Sequence, residues 1–319
     1  MPGKVSIIGA GNVGTASAFA LAIDGTPDEV VLFDCNLQKA EGEIMDIEHA
    51  NSFLPYTDFC ATESYTDTAG SDVVVITAGA KQSEGKTRLD LIDKNLDILA
   101  SIVSQVLEHS PDAILLLVSN PVDVLTYFAQ HMTGLSRDRV FGTGTVLDTA
   151  RYESFIAKEL KLNPQNVHAY VMGEHGDSSV AALSTATVGA IPLENMPGYD
   201  TTHMLGLHKE VVQAAYEVIE RKGATNLAIG LCVQRILHAI LNNTHEMLPV
   251  STVLEGEYGI EGVAMSTPCM IGRAGIEKRF ELPLTSEEKS RLDASATTLK
   301  EVIDEQSEKE RDHSAWCPL

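Results

Sequence analysis

Residues 4–14 read KVSIIGAGNVG, a short apolar run that passes directly into a glycine-rich turn. Such a run is typical of a strand that is buried on both faces. Gly9, Gly11 and Gly14 then follow the spacing G-x-G-x-x-G where a helix would begin, and this turn can hold the pyrophosphate of a dinucleotide. The stretch predicts the first strand, turn and helix of a Rossmann-type domain.

An acidic residue follows the next predicted strand, residues 29–33. Asp34 lies about 20 residues after Gly14, the usual distance between the glycine turn and the acid that accepts hydrogen bonds from the adenosine ribose. A carboxylate at this position would also repel a 2′-phosphate. The pattern therefore favours NAD over NADP as the cofactor.

Strand and helix patterns alternate through the first part of the chain, which predicts a doubly wound parallel sheet in an α/β fold. We expect residues 1–144 to form the NAD-binding domain and residues 145–319 a mixed α+β substrate domain that contains a small antiparallel sheet before its final helix. Predicted strands are residues 5–8, 29–33, 72–77, 113–118, 140–142, 167–172, 180–191 with a break at Gly189, 247–253, 262–268 and 277–282. Predicted helices are residues 13–23, 38–51, 89–108, 122–131, 147–160, 203–222, 225–242 and 286–309.

Composition limits the classes of partner. The 45 acidic residues outnumber the 23 lysines and arginines, for a net charge of −22. This balance argues against nucleic acid or an anionic membrane as partner, and an anionic substrate would need locally placed arginines. The five cysteines show no paired or metal-type spacing, and the N-terminus lacks a signal-peptide pattern. We therefore expect a cytoplasmic protein without a metal site.

A second group of residues predicts general acid–base catalysis on an anionic substrate. His175 lies between two glycines in GEHGD, residues 173–177, and Asp148 and Arg151 lie in DTAR, residues 148–151. A histidine near a carboxylate indicates a general acid–base pair. Arginines indicate a clamp on an anionic substrate, and Arg88 follows a polar segment that would form a closing lid. With the nucleotide turn, the set predicts hydride transfer to or from a small 2-hydroxy or 2-oxo acid.

Two interpretations of another kind compete with this one. Residues 80–87 resemble a relaxed P-loop, which would indicate an NTPase. Ala80 replaces the first glycine of that motif, however, and Glu84 would point a carboxylate at the phosphates. The second alternative is a sensor that binds NAD(H) without turnover, against which the set of His175, Asp148 and Arg151 argues.

Taken together, the motifs resemble the lactate/malate dehydrogenase family, on the side of its bacterial-type L-lactate dehydrogenases. The resemblance covers nearly the whole chain and is more specific than any single motif. It rests on GAGNVG at 9–14, VVVITAGAKQSEGKTR at 73–88, SNPVD at 119–123, GTGTVLDTAR at 142–151, GEHGD at 173–177 and RKGATNLAIG at 221–230.

The resemblance implies a role for each matching residue. His175 would exchange the proton and Asp148 would orient it, while Arg151 would bind the substrate carboxylate. Arg88, on a mobile loop, would polarise the substrate carbonyl. Asn120 would bond the reacting oxygen and Thr225 would line the substrate pocket. The positions that match cofactor contacts are Gly9, Gly11, Val13, Gly14, Asp34, Lys39, Tyr65, Gly79, Ala80, Asn120 and Thr143.

The resemblance also bears on substrate choice. Gln82 matches the position at which malate dehydrogenases place an arginine, so pyruvate and lactate are favoured over oxaloacetate and malate. Residues 178–183 and Val146 depart from the common lactate dehydrogenase pattern. This departure is expected to alter the back wall of the pocket and to leave room for a bulkier 2-oxo acid.

Assembly and regulation are implied in the same way. The family pattern suggests a homotetramer, or a dimer, with residues 147–160 as an interface helix. Many bacterial relatives are activated by fructose 1,6-bisphosphate, which an arginine and a histidine bind between subunits. His168 matches that histidine, but Glu153 occupies the arginine position, so we expect little or no activation.

Overall fold

The computed structural model describes residues 3–80 and 88–313, with the backbone alone at 88–90 and 310–313. The strands are β1 (Lys4–Ile8), β2 (Glu29–Phe33), β3 (Asp58–Thr62), β4 (Val73–Ile76), β5 (Ile114–Leu117), β6 (Val140–Gly142), β7 (Val167–His168), β8 (Val171–Met172), β9 (Val180–Ala181), β10 (Thr187–Val188), β11 (Ile191–Pro192), β12 (Glu246–Glu255), β13 (Glu261–Gly272) and β14 (Gly275–Arg279). The helices are α1 (Asn12–Asp24), α2 (Leu37–Glu48), α3 (Arg88–His109), α4 (Val122–Thr133), α5 (Val146–Leu160), α6 (Thr201–Lys222), α7 (Leu227–Leu241) and α8 (Ser286–His313).

The first six strands form a parallel sheet in the order β3-β2-β1-β4-β5-β6. This is the strand order of the doubly wound dinucleotide-binding fold, so the predicted fold class is confirmed. Strand β3 was not predicted, because Asp58–Thr62 reads DFCAT, which is neither a continuous apolar run nor a regular alternation. Its pairing with β2, at the edge of the sheet, makes it a strand.

The antiparallel pairing predicted for the last strands is confirmed, since β12, β13 and β14 pair antiparallel, but they do not form a sheet of their own and instead extend the large sheet to nine strands. The junction is the pairing of Ser251 in β12 with Gly142 in β6. A Cβ atom at Gly142 would lie 2.5 Å from Thr126 Oγ1 of α4 and 3.3 Å from Ser251 Cβ of β12, so a side chain there would press against both elements. The absence of a side chain at Gly142 therefore lets α4 and β12 pack closely against β6.

The segment 167–172, predicted as one strand, divides into β7 and β8, which belong to different sheets. Strand β7 pairs with β10, whereas β8 pairs with β9 and continues into the bridge between Gly173 and Ser266. Likewise, residues 180–191 divide into β9, β10 and β11; the predicted break at Gly189 separates β10 from β11, whereas the division between β9 and β10 was not predicted. Partners that lie far away in the sequence separate these segments, and local periodicity does not reveal them.

The helices cover both faces of the large sheet. Alternate strand residues point to opposite faces, so Val73 and Val75 belong to one apolar cluster and Val74 and Ile76 to the other. Helices α1 and α7 pack together on the first face, and α3, α4 and α8 cover the second. Among the described helices, none is long and apolar enough to cross a membrane.

Candidate active site

The glycine turn between β1 and α1 is shaped by close backbone approach. Gly9 has φ +114°, and a Cβ atom there would lie 2.9 Å from the amide nitrogen of Ala78. A Cβ atom at Gly14 would collide with the carbonyl oxygen of Gly9, so only glycine lets α1 begin this close to the turn. At Gly11 a Cβ atom would meet nothing within 4 Å, which leaves the space above the turn open. The turn thus has the shape that a pyrophosphate requires.

Asp34 lies directly after β2 and beside this turn. Its Oδ2 accepts a hydrogen bond from the amide of Ala10 at 2.8 Å, and its Oδ1 accepts one from the amide of Asn36 at 3.0 Å. The carboxylate is therefore held against the turn at the carboxyl end of β2. Tyr65 lies nearby, with its ring 4.1 Å from that of Phe33, and burial raises its pKa to about 12.

One buried amide side chain, which sequence reasoning missed, joins the loops at the carboxyl ends of β4 and β5. Asn95 of α3 is buried; its Oδ1 accepts from the amide of Ala80 at 2.7 Å and its Nδ2 donates to the carbonyl of Asn120 at 2.8 Å. Gly79 packs against this side chain, since a Cβ atom at Gly79 would lie 3.4 Å from Asn95 Oδ1. A lone asparagine inside a helical pattern gives no sequence signal for this role.

The histidine and the carboxylate predicted to work together are in contact. Nδ1 of His175 lies 2.6 Å from Oδ2 of Asp148, and Nη1 of Arg151 donates to Oδ1 of the same carboxylate at 3.2 Å. Asp148 and Arg151 share one face of α5, because they are three residues apart. The turn after β8, where Gly173 has φ +85°, brings His175 to them.

The pKa values of His175 and Asp148 move in opposite directions, each towards the charged form of its group. Burial alone would lower the pKa of His175, but the carboxylates of Asp148 and Asp123 raise it to about 9. Burial opposes ionisation of Asp148, yet His175 and Arg151 together lower the pKa of that carboxyl. The free site therefore holds a cationic imidazole against an anionic carboxylate at neutral pH.

A second buried carboxylate lies behind the histidine. Oδ2 of Asp123, in the first turn of α4, accepts from the main-chain amide of His175 at 2.7 Å. Its Oδ1 accepts from Oγ of Ser251 at 2.6 Å, and both residues are almost fully buried. Burial raises the pKa of Asp123 to about 6, against the two hydrogen bonds that lower it. Sequence reasoning read Asp123 only as part of SNPVD and gave it no function.

These groups open into a cavity of about 350 Å³. Its polar lining includes Asn120, Asp148 and His175, so the structure brings these three predicted residues together. One wall is formed by α6 and is mostly apolar. The described lining is Leu91, Ile92, Asn120, Pro121, Asp148, His175, Gly176, Asp177, Val212, Ala215, Tyr216 and Ile219.

Comparison with known proteins agrees with this geometry. Residues 3–142 match the model of the lactate/malate dehydrogenase NAD-binding domain, and residues 145–310 match that of the family's α/β C-terminal domain. The chain belongs to the lactate/malate dehydrogenase family. The P-loop interpretation of residues 80–87 is therefore not retained.

Individual relatives are similar over nearly their whole length. An L-lactate dehydrogenase of Clostridium botulinum is 46% identical over 309 residues, which are 95% of this chain and 97% of the relative. One from Synechococcus sp. (strain JA-3-3Ab) is 46% identical, over 94% and 98% of the two chains. The crystal structure of the minor L-lactate dehydrogenase of Enterococcus mundtii, in its ligands-bound form, superposes with a TM-score of 0.92 at 40% identity, over 95% and 98%.

The positions that depart from the common lactate dehydrogenase pattern lie away from the described lining of the cavity. Val146 is buried in the apolar core at the start of α5. Ser178 bonds the carboxylate of Glu174, and Oγ of Ser179 lies 3.2 Å from Nε2 of His208 on α6. The apolar wall comes from α6 instead, and none of these departures is part of the described lining.

The remaining predicted residues lie elsewhere in the fold or outside the described residues. Val13 packs partly buried against the core, Lys39 is exposed in the first turn of α2, and Thr143 is buried and donates its amide to Leu117 at 2.9 Å. Thr225 lies in the α6–α7 connection and is not part of the described cavity lining. Gln82 and the side chain of Arg88 lie outside the described residues. No cluster of three potential metal ligands occurs among the residues that were described.

Proposed function

We propose that this protein is an NAD-dependent L-lactate dehydrogenase that interconverts pyruvate and L-lactate. The observation that carries the proposal is the contact of His175 with Asp148 at the edge of a cavity, while Arg151 binds the other oxygen of the same carboxylate. The relatives at 46% identity support the same activity.

Each residue has a task that follows from its position. Nδ1 of His175 is held by Asp148, so Nε2 is the ring nitrogen left to give its proton to the carbonyl oxygen of the substrate. The raised pKa of His175 means that this proton is present at neutral pH. Arg151 uses Nη1 for Asp148, and the rest of its planar fork binds the substrate carboxylate. Asn120 and Arg88 stabilise the negative charge that develops on the reacting oxygen.

The glycine turn and Asp34 hold the cofactor. NADH, when bound, supplies the hydride for reduction of the carbonyl. The open space at Gly11 would accommodate the pyrophosphate, and the carboxylate of Asp34 would accept hydrogen bonds from the adenosine ribose. The resemblance to the family implies that Gly79, Ala80, Thr143, Val13, Lys39 and Tyr65 would also contact the bound cofactor.

Pyruvate is favoured as the substrate because the α6 wall is apolar and offers no cation for a second carboxylate. Val212, Ala215 and Ile219 form this wall, and Gln82 at the loop position carries no charge. A branched 2-oxo acid is the second candidate, because the same apolar wall suits a longer aliphatic chain.

The test is NADH oxidation followed at 340 nm with pyruvate, oxaloacetate and 2-oxoisocaproate in parallel. The result expected is the highest kcat/KM for pyruvate. A higher kcat/KM for either of the other acids would reassign the substrate, and binding of NADH without turnover of any of the three would leave only the sensor interpretation.

We also propose a homotetramer, or a dimer, in the cytoplasm, with the two domains meeting at residue 144. Exposed apolar side chains support self-association. Phe19 of α1 and Leu227 of α7 line one groove of about 530 Å³, and Leu231 is exposed on α7. By contrast, the predicted interface helix α5 has no large apolar side chain among the exposed residues described. Light scattering in solution measures the assembly.

A further inference from the structure

Two buried carboxylates hold His175 from different sides. Asp148 contacts the ring at Nδ1, whereas Asp123 contacts the main chain, accepting from the amide of His175 at 2.7 Å. The first contact sets the direction of the imidazole. The second sets the place of the backbone from which that imidazole extends.

Asp123 is itself fixed from a third part of the chain. Its Oδ1 accepts from Oγ of Ser251, a fully buried residue of β12, and its own main chain belongs to the first turn of α4. Asn120, which lines the cavity, lies three residues earlier, just before α4 begins. One carboxylate therefore ties the histidine turn to the segment that presents the amide of Asn120.

We propose that Asp123 is a positioning residue for His175, which holds the main chain of the histidine turn and adds negative charge behind the imidazole. The inference rests on the proposed function, since it concerns the proton that His175 exchanges. Asp123 acts on His175 in two ways. Its Oδ2 accepts the hydrogen bond from the main-chain amide of His175, and its negative charge acts on the imidazole ring.

The charges around the pair agree with this assignment. Glu174 and His175 of the turn face Asp123, while Asp148 and Arg151 reach His175 from α5. Asp123 and Asp148 both favour the cationic imidazole, and Arg151 opposes it. Removing the charge of Asp123 therefore lowers the pKa of His175, because a nearby anion favours the protonated ring.

The experiment separates the hydrogen bond from the charge. In Asp123→Asn the amide oxygen still accepts from His175 and the amide NH₂ can donate to Oγ of Ser251, so the geometry is kept and the charge is lost. In Asp123→Ala the acceptor is lost as well. We expect Asp123→Ala to lower kcat for pyruvate reduction by about tenfold to a hundredfold, as a small misplacement of a catalytic group does, with little change in NADH binding. Asp123→Asn should restore most of that kcat below pH 7.

The pH dependence of the two rates distinguishes the positioning role from a purely structural one, because a purely structural role would not shift it. Pyruvate reduction needs protonated His175 and lactate oxidation needs the neutral ring. In Asp123→Asn, the fall of the reduction rate and the rise of the oxidation rate should both move to lower pH, by about half a unit or more. An NMR titration of the His175 ring in the cofactor-free protein, assigned by comparison with His175→Asn, should show the same shift.

Stability provides the control. Because burial raises the pKa of Asp123, the folded state favours its neutral form and that preference is lost as pH rises through about 6. Asp123→Asn is thus not expected to lower the Tm at pH 8. Glu288→Gln is the matched variant: Glu288 is a buried carboxylate that accepts from Ser184 and Thr285 and is not part of the described cavity lining, and its loss should leave the pH profile in place.

Two results would overturn the inference: a His175 titration unchanged in Asp123→Asn, or an active, folded Asp123→Ala with wild-type kcat. If Asp123→Ala does not fold, the titration of Asp123→Asn decides. A wild-type protein inactive on all three 2-oxo acids would overturn the proposed function instead, and the NMR titration would still test the positioning role.

Discussion

The cofactor turn and the proton site are built in different ways. The turn is built mainly from backbone: Gly14 lies against the carbonyl oxygen of Gly9, Asp34 reaches the amide of Ala10 from the next strand, and Gly9 lies against the amide of Ala78 after β4. The proton site is assembled from distant segments, because His175 is held by Asp148 at one side and Asp123 at the other. The first is a backbone shape and the second is an arrangement of buried charge.

This difference decides how each site responds to substitution. A backbone cradle binds through many amide groups, so a single side chain contributes modestly. A proton site depends on one titrating ring, so the loss of that ring or of its partners removes the chemistry while leaving binding in place. The predictions below start with the largest expected effect.

The largest effects are expected at the proton site. His175→Asn removes the proton donor and should lower kcat by roughly 10²–10⁴-fold, the usual share of general acid–base catalysis. Arg151→Lys keeps the charge but loses the planar fork that binds a carboxylate, and should nearly abolish turnover as well. Steady-state kinetics with pyruvate measure kcat, and NADH fluorescence measures cofactor binding, which should survive both changes.

His131→Asn is a suitable control for these variants, because His131 is an exposed histidine of α4 that contacts the carbonyl of Tyr127 and is not part of the described cavity lining. Its kcat should stay close to that of the wild type. Near-wild-type turnover in His175→Asn or Arg151→Lys would disprove the assignment of the proton site.

The next effect concerns substrate choice. Gln82→Arg should shift preference from pyruvate towards oxaloacetate, because the guanidinium pairs the second carboxylate and is left unpaired with pyruvate. A hydrogen bond to a charged group contributes about 1.5–3 kcal/mol, which corresponds to roughly a tenfold to hundredfold change in the ratio of kcat/KM values. Gln82→Asn is the neutral control. An unchanged ratio would mean that Gln82 does not select the substrate.

A smaller effect is expected in the cofactor turn. Asp34→Ser should weaken NADH binding by about tenfold and narrow the gap to NADPH, because it removes both the ribose acceptor and the repulsion of a 2′-phosphate. Titration with the two cofactors measures this. Asp72→Ser is the matched control, since Asp72 also accepts from a backbone amide, that of Lys4, at the amino end of the sheet. An unchanged cofactor preference would count against the role of Asp34 in binding the cofactor.

The smallest effect is expected outside both sites. Glu153 is half-buried and accepts from the amide of Ala169 at 3.3 Å, and burial raises its pKa to about 7. Above that pH it would repel a sugar bisphosphate, and below it the neutral carboxyl would still offer no cation. Fructose 1,6-bisphosphate should therefore leave the pyruvate KM nearly unchanged, with inorganic phosphate as the ionic control. A large drop in KM would refute this.

The contrast between the two sites also explains what could be predicted. The strand β1, the glycine turn and α1 are encoded in a contiguous apolar and glycine pattern, so their fold follows from local rules. His175, Asp148 and Arg151 were found from residue chemistry and from resemblance. Asp123 and Asn95 were missed, because an aspartate at a helix start and an asparagine inside a helix have ordinary local explanations.

The sequence by itself determined the parallel, doubly wound character of the first sheet and the family resemblance, because local periodicity and glycine spacing are properties of neighbouring residues. Only the tertiary structure decided that β12 joins β6 through Gly142, that residues 167–172 divide between two sheets, and that Asp123 lies against the amide of His175. Those outcomes depend on contacts between residues far apart in the chain. Burial and charge at such contacts are set by the packed fold, and no local pattern carries them.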